Sequence, residues 1–299
     1  AGKTTGVVTA TVTDATAALL ATIAETGHNL TLTLTDASVA ASAISTIDPL
    51  TDGTFTVSST TVTGTAAEII AAYALGTAGT VAGLGNEALT ITGGVSVANL
   101  NTIAALTTGT VTATVTDTAA ATLKGITESG NNLTITVADT GVAATDITTI
   151  DAITTGDVAF SATAVTGTQA QIVAAYALNT AGTTTGLGNE AITITDAVTV
   201  TQANVVNALT TNRVTGTIST GDIATLAGLT ETGNDYTVTV TDTTVTAASL
   251  VTLNGKTTVA VNATAVATIT GTVAECDSAL DDNAAGTITG IGDVNVTLS

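Results

Sequence analysis

The sequence predicts an α/β fold arranged as a repeat solenoid, with short strands forming a parallel sheet on one face and short helices on the other. Three observations carry that prediction. A unit of about a hundred residues occurs three times. Each of its segments opens on strict apolar/Thr alternation. Each alternating run then passes into an Ala-rich stretch with helical spacing.

The repetition is read by self-comparison. Thr9-Ala10-Thr11-Val12 returns as Thr112-Ala113-Thr114-Val115 and again as Thr215-Gly216-Thr217-Ile218, each time 103 residues on. Ala72-Tyr73-Ala74-Leu75 returns as Ala175-Tyr176-Ala177-Leu178. Gly83-Leu84-Gly85-Asn86-Glu87 returns as Gly186-Leu187-Gly188-Asn189-Glu190, and more loosely as Gly290-Ile291-Gly292-Asp293. The third copy carries about one extra residue after Asn254 and stops short of its last segment. The predicted modules are residues 1–108, 109–211 and 212–299 of one continuous solenoid.

Inside each copy lie four shorter units, which in the second begin at Val111, Leu133, Val158 and Ala191. Alternation rich in Val, Ile and Thr suits a half-buried strand, because β-branched side chains pack well on a pleated surface. The helical stripe is carried by equivalent pairs: Leu20 with Ile23, Leu123 with Ile126 and Leu226 with Leu229. Ile44 with Ile47, Ile147 with Ile150 and Leu250 with Leu253 repeat the pattern. One such strand or helix cannot bury its apolar side alone, and stacking supplies the missing cover.

Composition narrows the function classes. Met and Trp are absent, and Ala, Thr, Val and Gly dominate, so the core is built from small aliphatic side chains. Lys3, Lys124, Arg213 and Lys256 face 24 acids, for a net charge of -20. Without clustered cations, nucleic acid and anionic membrane surfaces are poor partners. No apolar run of spanning length occurs. A single Cys leaves the redox compartment unread. The opening Ala1-Gly2 is read as the start of a mature secreted chain, with an excised fragment as the alternative.

Few residues offer chemistry. Asp14, Asp117 and Asp242 follow strands, as do Asp36, Asp139 and Asp196. They read as helix N-caps rather than as a calcium ladder, because Gly93 stands where the next copy has Asp196. The loop 83–87 and its copy 186–190 resemble part of a glycine-rich phosphate loop, but no Lys follows. Asp277, Asp281, Asp282 and Asp293 form the most acidic region and are the candidate Ca²⁺ ligands, with solvated charge as the competing reading. No cofactor is required.

His28 aligns with Asn131 and Asn234 and is expected to be an exposed turn residue; Cys276 aligns with Ile69 and Ile172 and is expected in the core. Tyr73 and Tyr176, with Leu280 at that place in the third copy, also read as core. With the one His and the one Cys in unrelated places, no nucleophile and base come together, and the chain is not expected to be an enzyme. Thr31, Thr33 and Thr35, and Thr237, Thr239 and Thr241, would align hydroxyls on a sheet, a pattern that ice-binding surfaces also use.

The sequence resembles the Thr/Ala/Val-rich repeat regions of large secreted bacterial proteins, including cyanobacterial cell-surface, adhesin-like and S-layer-like chains. Val115-Thr116-Asp117 followed by Thr118-Ala119-Ala120 and Leu123 carries the resemblance, as does the stretch 62–74. The resemblance implies an extracellular or cell-surface structural role and carries no catalytic residues across. A solenoid with open sheet edges is expected to stack head-to-tail on copies of itself as a filament or surface layer. The alternatives are an adhesin stalk fragment and an ice- or carbohydrate-binding surface.

Overall fold

A computed structural model of the chain describes residues 4–13, 15–219 and 221–299. Lys3, Asp14 and the opening Ala1-Gly2, all weighed above, lie outside the described residues. The protein is α/β, with short parallel strands and, among the described residues, eleven α-helices. It divides into two compact units, one of residues 1–137 with 149–159, the other of 138–148 with 160–299.

In the first unit, Thr9–Thr11 pairs with Asn29–Leu34, which pairs with Phe55–Val57, which in turn pairs with Val81–Ala82. A second row runs from Ser38–Ala40 through Thr61–Gly64, Ala88–Val95 and Val111–Val115 to Asn132–Val137. In the second unit, Gly141–Ala143, Ala164–Gly167, Ala191–Val198, Val214–Ile218 and Asp235–Thr237 pair in that order. Thr244–Thr246, Thr268–Gly271 and Asn295–Leu298 form another row, and Val261–Asn262 pairs with Ile288–Thr289. All these pairings are parallel. Parallel neighbours need a crossover between them, and the Ala-rich helices supply it.

The expectation of one strand per turn, all in one sheet, is corrected. Most helices are preceded by two strands that enter different rows, as Asn29–Leu34 and Ser38–Ala40 do before the helix Ala41–Ile47. The break falls at residues 35–37, where Thr35 donates its N–H to the Ala15 carbonyl instead of continuing the strand. In the sequence, Ser38–Ala40 reads as part of the Ala-rich stretch that follows Asp36.

The alternation itself gives the expected faces. Leu30, Leu32 and Leu34 are buried, as are Leu133, Ile135 and Val137, while Thr31 and Thr134 point out. Ile44, Ile47, Ile147, Ile150, Leu250 and Leu253 are fully buried on their helices. Each contributes about 1.5–3 kcal/mol by leaving water. Leu20, Leu123 and Leu226 are likewise buried on four-residue helices, but Ile23, Ile126 and Leu229 fall just beyond the helix ends. The inserted residue of the third copy shows in the register: Ser38 faces Thr61 and Gly141 faces Ala164, whereas Thr244 faces Thr268, one residue later.

The longest helices, Ala66–Ala78 and Gln169–Ala181, open with capping boxes from Thr65 with Glu68 and Thr168 with Gln171. They close on Gly79 and Gly182, both at φ 84°. Past that end, Gly83 has φ 87°, and a Cβ there would overlap the Val57 carbonyl oxygen, so only glycine allows the two chain segments to approach this closely.

Candidate functional site

Four of the acids expected to follow strands, Asp36, Asp117, Asp196 and Asp242, cap helices that are not the ones that follow them, and Asp196 does so from within the strand Ala191–Val198. Asp36 Oδ2 accepts the N–H of Ala17 at 2.6 Å, at the first position of helix Ala17–Leu20. Asp117 accepts from Val97 (2.7 Å), Asp242 from Ile223 (2.6 Å) and Asp196 from Gln169 (2.9 Å), each the first residue of an earlier helix. Each of these four helices thus receives its first-turn acceptor from 19 to 27 residues further along the chain. Its own Thr, Ser or Asp takes the third N–H, as Asp222 Oδ1 takes that of Thr225 (2.8 Å). That bond to the Thr225 backbone holds the Asp222 carboxyl below its ordinary range.

The four candidate calcium ligands do not converge. Asp277, Asp281 and Asp282 lie on the helix Val273–Ala284, where Asp277 and Asp281 are exposed and Asp282 accepts from Asn254 Nδ2 at 3.1 Å. Asp293 is exposed on the loop before the last strand. Among the described residues no three His, Cys, Asp or Glu side chains group as a metal site.

The glycine loops hold a carboxyl group of their own. Gly85 and Asn86 donate their N–H groups to Glu87 Oε2 at 2.8 and 3.2 Å, and Gly188 donates to Glu190 Oε2 at 2.8 Å. The same oxygens accept the phenol protons of Tyr73 and Tyr176, both at 2.6 Å. Glu87 and Glu190 are buried, and their Oε1 atoms find no hydrogen-bond partner among the described residues. Burial first, then the adjacent carboxylate, pushes both phenols far above the usual tyrosine range. Sequence reasoning passed over these glutamates. A signal was present, because the third copy replaces both partners together, with Leu280 for the Tyr and Val294 for the Glu.

His28 corrects another expectation. It is buried, not exposed, and its Nδ1 accepts the Val8 N–H at 3.3 Å. Asn131 and Asn234 do the same with Oδ1 for Val111 and Val214, both at 2.8 Å. The three residues share an acceptor role that an imidazole fills only with its proton on Nε2. Cys276 is buried, as its alignment with Ile69 and Ile172 implied.

Hydroxyls form short ladders across the strand rows: Thr63, Thr90 and Thr112 lie side by side, as do Thr166, Thr193 and Thr215, and Thr246, Thr270 and Thr297. Other threonines stitch one stretch to the next. Thr107 and Thr210 donate to the Glu87 and Glu190 carbonyls, both at 2.6 Å, while accepting from Gly109 and Asn212.

Two strands stand apart by their exposure. Asn295–Leu298, paired through Thr268–Gly271, leaves Val296 44% and Leu298 59% exposed. The equivalent residues Leu89 and Ile192 are 0% and 1% exposed, and Ile91 and Ile194 are also buried. Thr9–Thr11, paired through Asn29–Leu34, is exposed throughout, and its flanking Val8 and Val12 are half-buried. In the later copies Val111, Val115, Val214 and Ile218 are buried in those places. At the internal positions the cover comes from the neighbouring strand: Leu89 lies opposite Val111, and Ile192 opposite Val214.

No protein-family model, no curated protein and no solved structure matches the chain. No helix among the described residues is long and apolar enough to cross a membrane.

Proposed function

We propose that this is an extracellular structural protein, and not an enzyme, whose strand-helix turns stack as a solenoid in three modules. We further propose that it assembles head-to-tail on copies of itself into a filament or surface layer. The observation that carries the reading is the exposure of Val296 and Leu298 on a strand whose two internal equivalents are buried by the next strand. An open parallel edge with apolar side chains is a template for another strand. A joint between unlike edges does not close and therefore propagates.

The polar features favour scaffold over catalysis. The Tyr-Glu pair occurs twice and is replaced by Leu280 and Val294 in the third copy, as packing tolerates and chemistry does not. The net charge of -20 would hold neighbouring filaments apart, and divalent cations in the medium would bridge them. A second reading, a surface for ice or carbohydrate, draws on the hydroxyl ladders and would register as thermal hysteresis.

Sedimentation velocity over a concentration series, with electron microscopy of the same samples, tests the assembly. Growing end-to-end oligomers are expected. Dispersed single chains at every concentration would remove the filament reading and leave the stalk.

A further inference from the structure

We infer that a second copy of this chain docks its first strand on Asn295–Leu298 in the register by which the chain joins its own repeats, placing Val8 opposite Val296 and Thr9 opposite Thr297. The inference rests on the assembly proposed above and specifies its contact.

The chain contains this joint twice. Ala88–Val95 meets Val111–Val115 with Leu89 opposite Val111 and Thr90 opposite Thr112. Ala191–Val198 meets Val214–Ile218 with Ile192 opposite Val214 and Thr193 opposite Thr215. By the repeat, Val296 and Thr297 stand where Leu89 and Thr90 stand, and Val8 and Thr9 where Val111 and Thr112 stand. Both halves of the contact therefore exist on one molecule, one at each exposed strand.

The backbone partners follow from the same equivalence. Leu89 and Ile192 donate their N–H groups to the carbonyls of Thr110 and Arg213, at 2.9 and 3.0 Å. The Val296 N–H would donate to Val7 of the second copy. Thr108 and Thr211 donate to the Gly85 and Gly188 carbonyls, both at 2.9 Å, so Thr5 would donate to Gly292.

A third bond is already prepared. Gly109 and Asn212 donate to Thr107 and Thr210 Oγ1 at 2.9 and 3.0 Å, in turns whose hydroxyls reach the Glu87 and Glu190 carbonyls. Gly6 donates to Thr4 Oγ1 at 3.1 Å in the same arrangement, which aims the Thr4 hydroxyl at the Val294 carbonyl of a preceding copy. The Thr246, Thr270 and Thr297 ladder would then run on into Thr9.

The test uses the full chain carrying Thr9→Cys or Thr297→Cys, both exposed positions, with the unsubstituted chain and its buried Cys276 as the blank. Mixing the two variants under mild oxidation is expected to give a disulfide-linked dimer, and neither variant alone should do so. Thr297→Cys mixed with Thr11→Cys, two residues out of register, is expected to link at least about tenfold more slowly, because a disulfide needs close Cβ atoms. Thr4→Val should weaken association about fivefold, the worth of one hydrogen bond. Self-association in sedimentation without preferential linking of Thr9→Cys to Thr297→Cys would overturn the register and leave the assembly proposal standing. No association at any concentration would overturn both.

Discussion

The phenol of Tyr73 donates to the Glu87 carboxylate at 2.6 Å, and both side chains are buried. Tyr176 and Glu190 repeat the arrangement at the same distance. Removing one partner leaves the other desolvated without its bond. Tyr73→Leu is therefore expected to cost about 2–4 kcal/mol in urea unfolding. The double variant with Glu87→Val reproduces the Leu280 and Val294 solution of the third copy. It should lose at least about 1 kcal/mol less than the sum of the single variants. Additive losses would mean that the pair is not coupled.

All three tyrosines resist ionisation in the fold. Burial, followed by the neighbouring carboxylate, raises Tyr73 and Tyr176, and burial followed by the charge of Glu231 pushes Tyr236 up to about 12. The unfolded chain releases these protons near pH 10, at about the ordinary tyrosine value. The folded state then holds more protons than the unfolded one, so the tyrosine contribution to stability is complete below about pH 10 and is lost as pH rises above it. An alkaline titration followed by tyrosinate absorbance and circular dichroism should show ionisation and unfolding together. Tyrosinate forming near pH 10 in the folded protein would contradict the burial.

The cross-stretch caps are open to the same kind of test. Asp242→Ala removes the acceptor for the first N–H of the helix Ile223–Leu226 and should cost about 0.5–2 kcal/mol. Asp242→Asn, which keeps an acceptor oxygen, should recover most of that loss. Asp277→Ala, on an exposed helix face, should stay within about 0.5 kcal/mol of the parent in the same thermal or urea unfolding series. Equal effects of Asp242→Ala and Asp277→Ala would sink the capping account.

For His28, the two other copies already contain the control. His28→Asn should preserve the acceptor for the Val8 N–H, as Asn131 and Asn234 do for Val111 and Val214. His28→Leu should leave that amide without a partner and speed its hydrogen exchange at least about tenfold over His28→Asn. Indistinguishable exchange in the two variants would show that the side chain does not bind Val8.

What the sequence made legible was local. Alternation in Asn29–Leu34 and the stripe of Ile44 and Ile47 announced their buried faces, and alignment with Ile69 and Ile172 put Cys276 in the core. The less legible features join residues about twenty apart, such as Asp36 with Ala17 and His28 with Val8. Spacing along the chain identifies a cap by type but names the nearest helix as its partner, and here the helix is one stretch back. The second strand of most turns was hidden for a different reason: three residues such as Ser38–Ala40 merge in the sequence with the Ala-rich stretch that follows them. Glu87 escaped because a charged residue in a glycine-rich loop reads as exposed unless its partner Tyr73 is considered with it.

The account depends most on the two exposed strands finding each other. Hydrogen exchange read by mass spectrometry at low and high protein concentration follows them directly. Amides of Thr9–Thr11 and Asn295–Leu298 should slow together as concentration rises, while those of Val111–Val115, already covered within the chain, should not change. Exchange in both end strands that stays fast and independent of concentration would contradict it.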